Sequence, residues 1–216
     1  MKSFLAVAAI VAIAGSAQAV TLANWTFESS LPDTAGPFAA EAGVNAAISQ
    51  ASGFHANGSV VYSNPVGNGS AESFSSNFWT AGDYYQFTTS TAGYDTISFG
   101  WSQVASSTGP TSFAIQWSSD GVSFNTLANY TVGTSPSWSS LAGNPGAVYA
   151  PVALPAAAND LASVWVRLTS LVTPGNTAGT SRVDDVFFNG TLIPTPGSVA
   201  LFGAAGFAAL RRRRSA

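Results

Sequence analysis

Side chains that could carry out acid–base or nucleophilic chemistry are few in this 216-residue chain. It has one histidine, His55, no cysteine, and ten Asp and Glu residues spread along its length. The spacings typical of a zinc site, a nucleophile elbow or a phosphate-binding loop do not occur in it. A glycosidase needs only two suitably placed carboxylates, so a glycan hydrolase stays as a distant alternative. We predict that the protein is not an enzyme, and we interpret His55 as a loop histidine.

Aromatic side chains are more abundant and point to sugar binding. The chain has six Trp, six Tyr and fourteen Phe residues, and an exposed aromatic ring can stack against a sugar ring. Trp79 and Trp138 lie in or beside predicted loops, while Tyr84 and Trp165 alternate away from apolar neighbours. We predict Trp79, Tyr84 and Trp138 as ligand-binding residues. The alternative is that each of these rings covers an edge of the core.

Alternation of apolar and polar residues indicates the β-strands that must position these rings. It is clearest at 97–101, 113–117, 164–168 and 183–188, and Asp120-Gly121 favours a hairpin turn. Further strands are predicted at 20–27, 59–62 and 84–88, and long loops at 32–44, 64–77 and 134–146. Helical periodicity is limited to one turn near 156–162. About nine short strands predict an all-β fold, a single β-sandwich of the jelly-roll or galactose-binding-like type.

Two short motifs at the ends of the body resemble jelly-roll carbohydrate-binding modules of the galactose-binding-like kind. They are Asn24-Trp25-Thr26-Phe27-Glu28 and Arg182-Val183-Asp184-Asp185-Val186. The resemblance implies that the first and last strands lie side by side, which would bring Glu28, Asp184 and Asp185 together. Such oxygen ligands suit a structural Ca²⁺ ion. The alternative is a hydrogen-bonded Asp that braces a loop, or an Asp–Arg pair.

The N-terminus has the layout of a secretory signal peptide. Lys2 is followed by an apolar run from Phe4 to Ala14 and by the cleavage signal Ala17-Gln18-Ala19. Residues 1–19 are therefore predicted to direct export, and the body is predicted to span 20–191.

The C-terminus, 192–216, combines a Pro-x-Pro spacer, the apolar run 199–210 and four arginines. The run is short for a membrane-spanning helix, which needs about 20 residues. Arginines that follow it are expected to stay on the cytoplasmic side of the membrane. We predict a short transmembrane helix that anchors the chain transiently in the inner membrane.

This C-terminal segment resembles the sorting signal of bacterial PEP-CTERM proteins. The matching residues are Pro194, Thr195, Pro196 and Gly197, then the apolar run, then Arg211, Arg212, Arg213 and Arg214. Thr195 stands where the commonest form of the signal has Glu. The resemblance implies that the secretion machinery and the membrane protease exosortase process the chain, which then reaches the cell surface or the extracellular matrix.

The net charge of the body limits the classes of molecule that it can bind. All ten acidic residues lie in the body, with only Arg167 and Arg182 of the seven basic residues, so the body carries a formal charge of −8. Such a charge repels phosphate backbones, so we expect no nucleic-acid partner. The leading functional hypothesis is a non-catalytic structural or adhesive component of the surface or exopolysaccharide layer. The alternative is a carbohydrate-binding module that recognises a polysaccharide.

Overall fold

The computed structural model describes residues 18–194. Residues 1–17 of the predicted signal peptide, the apolar run 199–210 and most of the sorting motif, from Thr195 to Arg214, lie outside the described residues. No helix between residues 18 and 194 has the length and apolar character needed to cross a membrane.

Within that part of the chain the secondary structure is almost entirely β. The strands are β1 (Ala19–Trp25), β2 (Phe38–Ala39), β3 (Gln50–Phe54), β4 (Tyr62–Ser63), β5 (Phe74–Ser76), β6 (Tyr84–Thr89), β7 (Tyr94–Ala105), β8 (Ser112–Ser118), β9 (Asn125–Thr131), β10 (Val148–Ala153), β11 (Val164–Ser170) and β12 (Ser181–Leu192). Three single-turn 3-10 helices lie at Ala46–Ile48, Pro145–Ala147 and Ala156–Ala158. The last of these is the one turn that the sequence predicts near 156–162.

The strands form two antiparallel sheets of six strands each. Sheet A has the order β10-β7-β12-β5-β4, and β1 also pairs with β12; sheet B has the order β2-β3-β6-β11-β8-β9. The predicted all-β sandwich is confirmed. The expected neighbourhood of the first and last strands is also confirmed, since Ala19 pairs with Thr191 and Trp25 with Val186.

Aromatic side chains from both sheets fill the space between them. Because side chains alternate along a strand, Phe87 of sheet B and Phe99 and Phe188 of sheet A all point inward and are fully buried. Trp25 lies 5.3 Å from Phe87, and Phe99 lies 4.9 Å from Phe188, measured between ring centroids. Such edge-to-face pairs each contribute about 0.5–1.5 kcal/mol beyond the burial of their area. The aromatic core stabilises a body that has no disulfides.

Several local predictions need correction. The predicted strand at 59–62 is wrong, since β4 contains only Tyr62 and Ser63. The predicted loops 32–44 and 64–77 contain β2 and β5. These strands are two or three residues long, too short for an alternation pattern to reveal.

The Asp120-Gly121 turn does connect two antiparallel strands, but the connection runs over 119–124 and is not a two-residue hairpin. The Asp120 carboxylate accepts hydrogen bonds from the backbone N–H groups of Val122 and Ser123, and these bonds hold the longer connection in shape.

Strict alternation also fails in β12. The register shifts between Asp184 and Phe187, and Asp185 has a positive φ of 48°, which together describe a β-bulge. Asp184 pairs with Ser102 on the outer face of sheet A, but it has no exposed surface because the loop 64–73 covers it. The sequence predicts that either Asp184 or Asp185 points toward the interior. Asp184 is the buried residue, but it is buried beneath a loop on the outer face of sheet A and not between the two sheets.

Candidate functional site

The outward side chains of sheet B form a surface that we call the outer platform. Its strands β6, β11 and β8 lie in register, so that Gln86, Arg167 and Gln116 form one cross-strand row. The platform consists of the aromatic residues Phe54, Tyr84, Phe124 and Trp165 together with Gln86, Gln116 and Arg167. All of them are at least partly exposed, and Phe54 is 49% exposed.

Arg167 and three aromatic rings form a continuous stack on the platform. Phe54 and Tyr84 lie with ring centroids 5.1 Å apart and planes 18° from parallel. The Arg167 guanidinium lies 3.9 Å from the centroid of Tyr84 and 3.6 Å from that of Phe124. Burial lowers the pKa of Arg167 and Tyr84 opposes this, but an arginine stays charged under either influence. Both faces of Tyr84 are therefore covered, whereas Phe54 keeps exposed ring surface.

Amide side chains lie beside the stack and are held by their neighbours. The Nε–H of Arg167 donates to Oε1 of Gln86 over 2.8 Å, and the hydroxyl of Thr169 donates to Oε1 of Gln116 over 2.8 Å. Gln116 in turn donates to Thr126. None of the strands β3, β6, β8, β9 and β11 contains an acidic residue. The platform thus offers oriented amides and one cation without a carboxylate.

The connection between β8 and β9 positions Trp165 and Phe124. Hydrogen bonds from Ser118, Val122 and Ser123 hold the pKa of the Asp120 carboxyl down at about 2. Gly121 has a φ of +72°, and a Cβ at this position would lie only 3.1 Å from the Trp165 ring. Glycine therefore lets the backbone rest against Trp165 while the same connection brings Phe124 over Arg167.

Of the three aromatic residues predicted to bind ligand, only Tyr84 lies on the platform. Trp79 is 3% exposed and donates its indole N–H to the carbonyl of Ser76. Trp138 is 5% exposed and packs with Val104 on the other sheet. The structure therefore keeps the three apart and gives two of them no exposed ring face. Sequence analysis missed Phe54 and Phe124, although Phe54 stands at an outward position of β3, on the same face as Gln50 and Ser52.

The predicted calcium ligands do lie near one another. Both oxygens of Glu28 accept backbone N–H groups, from Ala71 and Glu72. Burial and the charge of Asp185 raise the pKa of Asp184 to about 7. Burial and the charge of Glu28 raise the pKa of Asp185. The three carboxylates thus repel one another.

Oxygen ligands of this kind suit Ca²⁺, but the arrangement does not by itself provide a site. Asp184 uses Oδ2 to accept hydrogen bonds from Asn68 and Ser70, and Oδ1 to accept one from Asp185. Over residues 18–194, no group of three or more His, Cys, Asp or Glu side chains could hold a metal ion. Calcium at these residues stays a prediction.

The structure also brings together a serine, a histidine and an aspartate that are distant in sequence. Nε2 of His55 lies 2.9 Å from the hydroxyl of Ser76, and Nδ1 lies 3.1 Å from Oδ2 of Asp83. This order matches a nucleophile, a base and an orienting acid. However, Nδ1 is not aligned for a hydrogen bond, and Ser76 and the His55 side chain have no exposed surface.

This trio is better described as a structural network. The Ser76 hydroxyl is also 2.7 Å from the Tyr85 hydroxyl, which donates to the carbonyl of Ser181. Burial lowers the pKa of His55, against the opposing effect of Asp83. His55 follows β3 in a loop, as the sequence indicates, but its side chain is buried rather than exposed. The network joins this loop to both sheets.

Comparison with known proteins gives similarity in fold only. No protein-family model matches the chain, and no curated protein matches it. Among solved structures, the K3 adhesin domain of Lys-gingipain from Porphyromonas gingivalis is 19% identical, with a TM-score of 0.46, over 80% of this chain and 99% of that one. The CBM22-1–CBM22-2 tandem domain from Paenibacillus barcinonensis Xyn10C is 9% identical, with a TM-score of 0.49, over 86% of this chain and 48% of that one. TmCBM61, solved with β-1,4-galactotriose, is 10% identical, with a TM-score of 0.37, over 65% of this chain and 86% of that one.

Proposed function

We propose that this protein is a non-catalytic carbohydrate-binding protein of the jelly-roll type, and that its outer platform holds a polysaccharide chain. The observation that carries the proposal is the stack of Phe54, Tyr84, Arg167 and Phe124, on a sheet whose strands β3, β6, β8, β9 and β11 contain no acidic residue. Aromatic rings and fixed amides are the groups that bind the apolar faces and the hydroxyls of sugars.

The spacing of the platform aromatics suits an extended ligand rather than a single sugar. Phe54 lies in the row of Tyr84 and Thr169, whereas Trp165 lies four residues before Thr169 on β11. Four residues correspond to about 13 Å along a strand, and the two-strand separation adds about 10 Å across the sheet. A ligand that contacts both rings must therefore extend over several sugar units.

Preorganisation strengthens the proposal. Arg167 is fixed by two ring faces and by Gln86, and Gln116 is fixed by Thr169 and Thr126. Groups that are already ordered lose little side-chain entropy on binding. The platform is thus suited to binding without rearrangement.

The test is a glycan array and affinity electrophoresis with the full chain and a panel of neutral and acidic polysaccharides. Replacing both Phe54 and Trp165 by Ala should weaken binding at least about tenfold, which corresponds to about 1.4 kcal/mol. Leu141→Ala is the matched control, since Leu141 is 93% exposed and lies outside the platform. Equal binding by the double variant and the wild type, or no binding to any glycan, would contradict the proposal.

We further propose that the chain is exported and sorted as a PEP-CTERM protein, with exosortase and the membrane as transient partners and the surface or matrix as its destination. The support is the order of Pro194, Pro196, the apolar run and Arg211–Arg214 in the sequence. In this location a polysaccharide-binding body would act as an adhesive component of the matrix. Intact-mass measurement of the native protein tests this: loss of residues 1–19 and of the arginine cluster is expected, and a protein that keeps both ends would contradict it.

A further inference from the structure

A second candidate site lies on the opposite side of the molecule, over the outer face of sheet A. The loops 64–73 and 134–147 cover part of this face and leave a cavity of about 300 Å³ beside them. This volume is at the lower end of the range of small-molecule sites, roughly 300–1,000 Å³. Its floor is a row of paired residues, one from each of four neighbouring strands: Ser63, Ser75, Arg182 and Val104.

Five of the residues that line the cavity carry hydroxyl groups. They belong to Ser63, Ser75, Ser106, Ser137 and Thr180. Ser106 accepts a hydrogen bond from the backbone of Thr180, but within residues 18–194 no protein group pairs with the hydroxyls of the other four. Ser75 is only 2% exposed as a residue, but it lines the cavity. A ligand in the cavity can therefore exchange hydrogen bonds with these side chains.

A further unpaired donor lies next to the cavity. The indole N–H of Trp138, the neighbour of Ser137 in the chain, is buried and has no hydrogen-bond partner in the described part of the chain. The Trp138 ring lies 5.2 Å from the Arg182 guanidinium. The same corner of the molecule thus combines an arginine with one buried donor that has no partner among the described residues.

Arg182 makes no direct ion pair with a carboxylate of the described residues. Its Nη1 donates to the carbonyl of Val66 over 3.0 Å, and apart from the His55–Asp83 contact no ion pair forms among residues 18–194. The nearest acid, Asp184, has both oxygens engaged by Asn68, Ser70 and Asp185. Burial lowers the pKa of Arg182, and the charge of Asp184 opposes this. Guanidinium groups bind carboxylates through paired, charge-assisted hydrogen bonds.

We propose that this cavity binds a hexuronate, a sugar unit that carries a carboxylate. The carboxylate pairs with Arg182, the ring hydroxyls pair with the serine and threonine side chains, and Val104 contacts the apolar face of the sugar. A neutral sugar leaves the charge of Arg182 unpaired, and a simple carboxylate leaves the hydroxyls unpaired. The site is separate from the outer platform, so it holds or fails independently of the proposed function.

The test is a titration of the full-length, ¹⁵N-labelled protein, with the Trp138 indole N–H and the Arg182 Nε–H signals as readouts. Glucuronate is the probe, glucose lacks its carboxylate, and acetate lacks its hydroxyls. Glucuronate should shift both signals with a Kd of about 1 mM, the affinity of a small ligand held by a few polar contacts. Absence of a shift, or equal shifts with glucose or with acetate, would overturn the proposal.

Variants locate the binding. Arg182→Gln should weaken glucuronate binding at least about tenfold, read from the Trp138 signal. Ser75→Ala, a smaller change that should leave the fold intact, should weaken it a few-fold. Ser119→Ala, a matched change at an exposed position outside the cavity, should leave it unaltered. If neither Arg182→Gln nor Ser75→Ala weakens glucuronate binding, the assignment of the hexuronate site to this cavity is overturned. This result does not depend on whether the outer platform binds polysaccharides.

Discussion

The guanidinium of Arg167 lies 3.9 Å from the ring centroid of Tyr84, although the two residues are 83 positions apart in sequence. The register of β6 and β11 brings them together, because Arg167 pairs with Gln86, two residues along from Tyr84 on the same face. A cation–π contact of this kind contributes about 0.5–2 kcal/mol, depending on desolvation. It fixes the one cation of the outer platform against the face of Tyr84, and Phe124 lies against the guanidinium as well.

Arg167→Lys tests whether the planar guanidinium matters beyond its charge. Lysine keeps the charge but not the flat stack or the Nε–H donor to Gln86. We expect polysaccharide binding to weaken about three- to tenfold, by about 1 kcal/mol, in affinity electrophoresis. With a neutral polysaccharide as the ligand, Arg182→Lys on sheet A is the matched control and should leave that binding unchanged. Full retention of binding by the Arg167 variant would contradict a role for the stack.

Gly121→Ala tests the positioning of Trp165. The substitution places a Cβ about 3.1 Å from the indole ring at a φ of +72°, so both the backbone and the ring must adjust. We expect a loss of about 1 kcal/mol in the free energy of unfolding and a shift in Trp fluorescence. Gly175→Ala is the control, since a Cβ there meets nothing within 4 Å. Equal melting temperatures for the two variants would count against this packing.

His55 predicts one component of the pH dependence of stability. Burial lowers its pKa in the folded protein from the ordinary 6.5, so below about pH 6.5 the unfolded chain takes up a proton that the folded one does not. The contribution of neutral His55 to the free energy of unfolding is therefore fully present above about pH 6.5 and decreases as the pH is lowered. The measurement is the difference in unfolding free energy between the wild type and His55→Gln from pH 8 to 5. A difference that does not vary with pH would show that His55 titrates normally.

Asp184 predicts the opposite slope. Its pKa is raised from 3.8 to about 7 by burial and by Asp185, so the folded protein holds a proton that the unfolded chain has released. This group therefore destabilises the fold progressively as the pH rises from about 4 to about 7. The difference between the wild type and Asp184→Asn, followed by urea unfolding, isolates the slope. A flat difference over this range would contradict the raised pKa.

Calcium binding is expected to show at the same carboxylates. A divalent cation would offset the mutual repulsion of Glu28, Asp184 and Asp185, so Ca²⁺ should raise the melting temperature by several degrees and EDTA should reverse the increase. Asp185→Asn should reduce the effect, whereas Asp33→Asn, at an exposed position outside the three carboxylates, should not. Identical melting curves with Ca²⁺ and with EDTA would remove calcium from this site.

The sheets could be predicted because their long central strands alternate. The pattern of Phe113, Ile115 and Trp117, and that of Val164, Val166 and Leu168, gives both the strand and its buried face. The bulge at Asp185 could not be predicted, since it depends on a positive φ in a residue other than glycine.

The candidate site was only partly visible in the sequence. Tyr84 follows from alternation, but the partners of Arg167 depend on cross-strand register, which local patterns do not specify. Trp138 was placed correctly in a loop, and yet that loop folds onto Val104 and buries the ring. His55, Ser76 and Asp83 meet only in three dimensions. Local sequence patterns predict well which face of a strand is buried. They predict poorly which loops fold back over a strand face and bury it.

The pairing of Ala19 with Thr191 brings both ends of the body to one edge of sheet A. A tensile load applied between these two positions would act in the unzipping geometry and break the hydrogen bonds between β1 and β12 sequentially. A load in the shear geometry would instead strain all of them at once. The body should therefore yield at low force when stretched between its two ends. A load transmitted from sheet B to the C-terminal segment alone does not pull Ala19 and Thr191 apart.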